Sequence, residues 1–235
     1  MGSVFRFKEF EVNQEGCAMK INTDGVLLGA IVHADNPAHI LDIGTGTGVI
    51  AMMLAQRFHH AWLHAVEIDK DAFTRSISNF QNSPYSTRVE AFLGSFEDLH
   101  ISVKYDLIVS NPPFYTNSLH NPDERKKLAR HTDVVFFDKL LAFAHQNLSD
   151  HGQLSLILPV ELAEYVIEQG ENLGLYLCKS ISIKSFADSA VIRNIITLRK
   201  SKVNNTVKED FVIYQEKGVY SAAYRTLLKP YFLAF

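Results

Sequence analysis

The sequence predicts an α/β fold built on a mostly parallel, doubly wound sheet. Three observations carry that expectation. Short apolar runs alternate with helix-length amphipathic segments from residue 39 to residue 173, the pattern of parallel strands crossed by helices. Ile40-Leu41-Asp42-Ile43 leads directly into Gly44-Thr45-Gly46-Thr47-Gly48 and then into Val49-Ile50-Ala51-Met52-Met53-Leu54-Ala55 without a breaker; strand, glycine turn and helix N-terminus form the ligand end of such sheets. Two β-branched runs, 175–184 and 191–199, flank a turn-rich segment and so predict a closing hairpin. The expected product is Rossmann-like: seven strands, an antiparallel C-terminal hairpin, and helices on both faces.

The elements follow in order. Residues 4–13 set Phe5, Phe7 and Phe10 among Arg6, Lys8 and Glu9 and read as a short strand or ribbon; 17–22 read as another extended piece. Thr23 is the expected cap of a helix through Val26, Leu27, Leu28, Ile31 and Val32, with Asp24 in its first turn, and Asn36-Pro37 ends it. Strands are expected at 39–43, 62–67, 89–93, 105–110 and 153–158. Helices are expected at 48–58, 69–82, 134–148 and 161–173. The second of these sets Ala72, Phe73, Ile77 and Phe80 on one face and stops at Ser83-Pro84. Between 117 and 133 lies a long polar segment with Arg125, Lys126, Lys127, Arg130 and His131, read as a loop. The tail adds a strand over 211–214 and a helix over 221–228. Residues 1–35 form an N-terminal extension and 36–235 the main domain.

Bulk properties narrow the functional class. At 47% hydrophobic and 21% charged residues the chain has ordinary globular composition. A net charge of −3 argues against a strongly basic nucleic-acid binder but leaves room for a local basic face. Cys17 and Cys178 stand far apart and outside any C-x-x-C pattern, as free thiols of a reducing compartment do. Residues 1–10 carry no apolar h-region, Arg6 stands where a myristoylation pattern wants Ser or Thr, and no apolar run approaches membrane-spanning length, so neither a secretory signal nor a membrane anchor is expected. A cytoplasmic protein is the expectation; the sequence leaves the oligomeric state open, with a monomer slightly favoured. The histidines include His59-His60 but no H-E-x-x-H or Cys/His ligand spacing, so no metal is expected.

Gly44, Gly46 and Gly48 give G-x-G-x-G rather than the dinucleotide G-x-G-x-x-G, and Walker spacing is absent. The loop has no dedicated phosphate grip, and Asp42 just before it would repel a pyrophosphate. A cationic, phosphate-free ligand suits it better, and S-adenosylmethionine carries a sulfonium and an ammonium. Glu67, at the end of the second strand, can accept hydrogen bonds from both ribose hydroxyls, with Ile68 beside it. Ser95 and Phe96, after the third strand, can give the adenine a polar contact and an aromatic wall; a solvated loop is the competing reading. Thr45 lies within the glycine turn.

The fourth strand ends in Ser110-Asn111-Pro112-Pro113-Phe114-Tyr115, next to the crevice of a doubly wound sheet. An exocyclic amine on adenine is a poor nucleophile because its lone pair is delocalised into the ring. If the Asn111 side-chain oxygen and the Pro112 carbonyl each accept one N–H, the nitrogen is drawn towards tetrahedral geometry. Phe114 can stack on the base, worth roughly 1–3 kcal/mol. The leaving group is a neutral thioether, so alignment can supply much of the rate, about 7–11 kcal/mol. Taken alone, Asn-Pro is also an ordinary turn.

These residues resemble the class I S-adenosylmethionine-dependent methyltransferases that act on planar amino groups. Phe7-Lys8-Glu9-Phe10, the stretch from Cys17 through Lys20-Ile21-Asn22-Thr23-Asp24-Gly25 to Ala30, residues 41–48 and Asn111-Pro112-Pro113-Phe114-Tyr115 are similar to the bacterial tRNA(Val) adenine-N6 methyltransferase family, over nearly the whole chain. The resemblance implies that Asn111 is catalytic, that residues 42–48 and Glu67 hold the cofactor, and that Lys20, Thr23 and Asp24 belong to an N-terminal lid packed on it. It also implies a tRNA substrate, the adenine just 3′ of the anticodon. RNA contacts are then expected from Tyr115, Arg125, Lys126, Lys127 and Arg130, with Lys179, Lys184, Arg193, Arg199 and Lys200 as further cations. Three alternatives stay open: a glutamine side-chain amide in a protein, a ribosomal RNA base, and a non-catalytic RNA-binding relative.

Overall fold

The computed structural model describes residues 4–17, 19–112 and 122–235, with the backbone alone over 122–133. Its centre is an eight-stranded sheet. The strands are β3 (His39–Ile43), β4 (Trp62–Glu67), β5 (Val89–Leu93), β6 (Tyr105–Ser110), β7 (Leu148–Leu158), β8 (Tyr176–Lys184), β9 (Val191–Arg199) and β10 (Val207–Val212), in the order β10-β8-β9-β7-β6-β3-β4-β5. The pairs among β3 to β7 are parallel, whereas β9 runs antiparallel to both β7 and β8. The seven expected strands and the hairpin are all present. β10 is an eighth, added parallel to β8 at the edge, and the strand expected over 211–214 is divided between β10 and β11 (Tyr214–Glu216).

Alternation within each strand serves two cores. Ile40, Leu107 and Val109 point to one face, where α1 (Thr23–Ile31), α2 (Val49–Arg57), α3 (Lys70–Gln81) and α6 (Ala222–Leu228) pack. Leu41, Ile43 and Ile108 point to the other, under α4 (Pro122–Asn147) and α5 (Val160–Asn172). Burial on both faces is why these strands read as unbroken apolar runs.

Apart from shifts of a single residue at element ends, β7 begins at Leu148, five residues before the expected 153, and two helix starts also differ from expectation. The cap of α1 is Asn22, whose side chain accepts the Gly25 N–H, and Thr23 is its first helical residue. α4 begins twelve residues earlier than the apolar pattern, at Pro122, so Arg125, Lys126, Lys127 and Arg130 lie on helical backbone and not in a loop. Proline at the first helical position followed by Asp123 and Glu124 is a helix-start signal that needs no apolar periodicity.

The N-terminal ribbon, β1 (Val4–Arg6) and β2 (Glu11–Asn13), is bound to the C-terminal tail. Phe7 bridges Phe232, and the Lys8 ammonium donates to the carbonyls of Lys229 and Phe235. Tyr231 is buried on the same core, and β11 pairs with β12 (Val219–Tyr220) nearby. No helix among the described residues is long and apolar enough to cross a membrane.

Candidate active site

After β3 the chain turns outward to β4 on one side, and only later returns to β6 on the other. The crevice between β3 and β6, at their C-terminal ends, is the switch point where such sheets hold ligands. The glycine loop opens there. Gly44, Gly46 and Gly48 have φ of 71°, 56° and 85°, left-handed values that glycine adopts without strain. The turn is fixed by Gly44 and Thr45 donating to the Val66 carbonyl and by Gly48 donating to Thr45. Asn79 of α3, buried, donates to the carbonyls of Thr47 and Asn13 and accepts the Asn13 N–H, which fastens the loop to the N-terminal ribbon.

The glycines differ in what surrounds them. A Cβ on Gly44 or Gly46 would meet no protein atom within 4 Å, whereas one on Gly48 would stand 2.3 Å from the Phe80 ring. The first two therefore border open space, and the third is held by packing. Gly48→Ala should destabilise the fold by about 2–5 kcal/mol, from the left-handed backbone and the overpacking together. Gly46→Ala should show the backbone cost alone, about 1–2 kcal/mol, yet obstruct the crevice. Urea melts and donor titrations of the two variants separate these effects.

Two carboxylates meet at the loop. Asp42 is fully buried, and its Oδ2 accepts the Thr45 hydroxyl at 2.6 Å. Its Oδ1 lacks a partner of normal geometry, although the Ala51 N–H nearby favours the charged form. Burial pushes its pKa up to about 7, and the charge on Glu67 adds to the rise. Glu67 accepts the Gly46 N–H at 2.8 Å through Oε2 and the Asp69 N–H at 2.9 Å through Oε1. Each oxygen has a second lone pair, so the carboxylate can still bind hydroxyls while it shapes the loop. A buried, under-satisfied aspartate, an open glycine cradle and a carboxylate at the next strand end fit a cationic ribonucleoside such as S-adenosylmethionine.

Other predicted residues fall in mixed places. Ile68 is 75% exposed immediately after Glu67, at the C-terminal end of β4. Ser95 caps the short turn 96–98 by accepting the Glu97 N–H. Phe96 is only 6% exposed; its ring stands edge-on to Phe136 and Phe143 in the core. Its ring is thus an anchor for α4, not the open wall expected for the adenine. Lys20 and Thr23 are exposed, and Asp24 is ion-paired with Arg193 of β9 at 2.8 Å.

At the end of β6, the Ser110 hydroxyl donates to the Ile43 carbonyl, tying β6 to β3 just before the two loops diverge. Pro112 is buried and Asn111 half-buried. The Asn111 Nδ2 lies 3.4 Å from Asn22 Oδ1, so the start of α1 stands against this residue. Phe114 and Tyr115 lie outside the described residues, as do the side chains of Arg125, Lys126, Lys127 and Arg130.

The C-terminal cations are already engaged. Lys179 pairs with Glu209, Lys184 with Asp210 and Arg193 with Asp24; Arg199 donates to Gln153 and Lys200 to the Leu148 carbonyl. The parallel pairing of β10 with β8 brings Glu209 and Asp210 alongside Lys179 and Lys184, which stand in surface ion pairs with them. Among the described residues no group of His, Cys, Asp and Glu could hold a metal ion.

Residues 17–165 match the family model of the methyltransferase small domain. The chain belongs to that family. The methyltransferase is 46% identical, over the whole of both chains, to a Pedobacter heparinus protein named tRNA1(Val) (adenine(37)-N6)-methyltransferase. It is 38% identical, over 97% of each chain, to an Actinobacillus pleuropneumoniae protein of the same name. Its fold is shared with solved structures of low identity. A Pyrococcus furiosus methyltransferase superposes with a TM-score of 0.57 at 21% identity, covering 80% of this chain and 91% of the other. An Agrobacterium tumefaciens protein described as a "predicted O-methyltransferase" gives 0.69 at 17% identity, covering 88% and 96%.

Proposed function

We propose that this methyltransferase transfers the methyl group of S-adenosylmethionine to N6 of adenine 37 in tRNA1(Val). The observation that carries this reading is the full-length similarity to relatives so named, joined to Asn111-Pro112 at the end of β6, beside the glycine loop. When bound, S-adenosylmethionine supplies an electrophilic methyl carbon whose bond to sulfur breaks as the new N–C bond forms. Asn111 Oδ1 and the Pro112 carbonyl accept the two amine hydrogens and turn the nitrogen lone pair towards that carbon. One of those hydrogens leaves as a proton to solvent once the nitrogen is alkylated. Asp42 and Glu67 face the cationic and ribose parts of the donor, with Gly44, Thr45, Gly46 and Gly48 shaping its cradle and Ile68 and Ser95 beside its base.

Residues 1–35 act as an extension that closes over the donor, with Lys20, Thr23 and Asp24 at its rim. Phe114 stacks on the adenine, and Tyr115, Arg125, Lys126, Lys127 and Arg130 contact the RNA around it. An anticodon-loop adenine is unpaired, which lowers the cost of bringing it into the site. A tRNA substrate places the enzyme in the cytoplasm. Incubation with methyl-labelled S-adenosylmethionine and total tRNA lacking the modification, followed by nucleoside analysis, should give N6-methyladenosine in tRNA1(Val). Label in protein, or in another nucleoside, would overturn this reading.

A further inference from the structure

We infer that Asn22 is a positioning residue for the transfer: it sets which way round the Asn111 side-chain amide stands. A primary amide presents an acceptor on one side and a donor on the other. Only the acceptor side can draw on an amine N–H; a reversed Asn111 would set donor against donor. The hydrogen bonds at the start of α1 decide between the two. The Gly25 backbone N–H, which can only donate, lies 2.8 Å from Asn22 Oδ1. The Asn22 atom at that place must be oxygen. The same oxygen is 3.4 Å from the Asn111 amide atom assigned as Nδ2, where a donor is favoured and a second oxygen would be repelled. Oδ1 of Asn111 then lies on the opposite side of Cγ, where it can accept from the substrate amine.

The segment that carries Asn22 is held from both sides. The Ile21 N–H donates to Gln14 Oε1 at 2.7 Å, and Asp24 is bound to Arg193 in the sheet. A Cβ built on Gly25 would stand at van der Waals distance, 3.5 Å, from both Asn111 Nδ2 and Asn22 Oδ1, so the first turn of α1 lies directly against this contact. Neither apolar periodicity nor the glycine loop marks Asn22; the signal available in the sequence is that Asn is a stronger helix cap than Thr.

The inference rests on the proposed role of Asn111, and the test separates the two. Asn22→Gly removes the acceptor, and glycine caps a helix nearly as well; Asn22→Asp keeps an acceptor oxygen for both donors. Asn22→Gly should lower kcat for tRNA by about 10- to 100-fold, the scale of a small misplacement at a reacting centre. KM, donor affinity and Tm should hold, and Asn22→Asp should restore most of the rate. Wild-type kcat in Asn22→Gly overturns the inference, as does an equal loss in both variants or a loss that follows Tm. Undiminished turnover in Asn111→Ala, run alongside, would instead sink the reading of Asn111 itself.

Discussion

Asn111→Ala should lower methyl transfer by at least about 10³-fold while leaving S-adenosylmethionine binding close to wild type. Removing one pre-organised hydrogen-bonding group from a reacting centre costs about 10²–10³-fold in kcat. Here the same group also orients the nucleophile, and misplacement adds up to about 10²-fold. The substrate amine meets the problem that its lone pair belongs to the ring. Without Oδ1 of Asn111, only the Pro112 carbonyl is left to accept from it, and one acceptor cannot hold both hydrogens. The fold should tolerate the change. Asn111 is half-buried, and its described hydrogen bond is the 3.4 Å contact with Asn22, whereas β6 is tied to β3 through Ser110. Single-turnover rates with tRNA and calorimetric titration with the donor check the two halves. Turnover within tenfold of wild type, or loss of donor binding equal to the loss of rate, would count against the mechanism.

The sheet was legible because its strands are buried on both faces. Runs such as Ile40-Leu41-Asp42-Ile43 and Leu107-Ile108-Val109 have few other uses in a chain of this composition. β10 was not, because Val207-Lys208-Glu209-Asp210 is exposed on an edge strand and carries no apolar period. That omission has a functional consequence. Lys179 and Lys184 look like free cations until the strand bearing Glu209 and Asp210 is set beside them. Charge read along a chain does not see a partner some thirty residues away. The glycine loop was legible from spacing, since glycines at alternate positions are wanted where the backbone turns left-handed three times. Phe96 was ambiguous, because an aromatic after a strand serves a core as readily as a ligand. Only its contacts with Phe136 and Phe143 decide. Asn79 carries no sequence signal of its role; its clamp joins Asn13, Thr47 and α3, three places that only the fold brings together.

Donor affinity should rise with pH up to about 7 and level off above it, and Asp42→Asn should flatten that dependence. The cause is the burial of Asp42, which lifts its pKa to about 7 from the ordinary carboxylate value, helped by the charge of Glu67 and opposed by the Thr45 hydroxyl bond. A cationic ligand next to this carboxylate favours its charged form. Below pH 7 binding must therefore expel a proton, and affinity falls by up to about tenfold per pH unit. Folding carries the opposite sign. The native state holds the Asp42 proton more tightly than the unfolded chain does, so this residue's contribution to stability declines as pH rises from about 4 to about 7 and stays at its low value beyond. Asp42→Asn removes the buried charge and keeps an acceptor for Thr45. It should melt higher than wild type at pH 8, match it more closely at pH 5, and bind S-adenosylmethionine more weakly at pH 8. Calorimetric titrations at pH 6, 7 and 8, in buffers of different ionisation enthalpy, read both the affinity and the proton released. A wild-type affinity that is flat over that range would remove Asp42 from the donor site. An Asn variant that keeps the wild-type slope would assign the proton to another group. Stability and donor binding are thus opposed at one buried oxygen pair, and the donor's own positive charge is what makes a buried carboxylate worth keeping there.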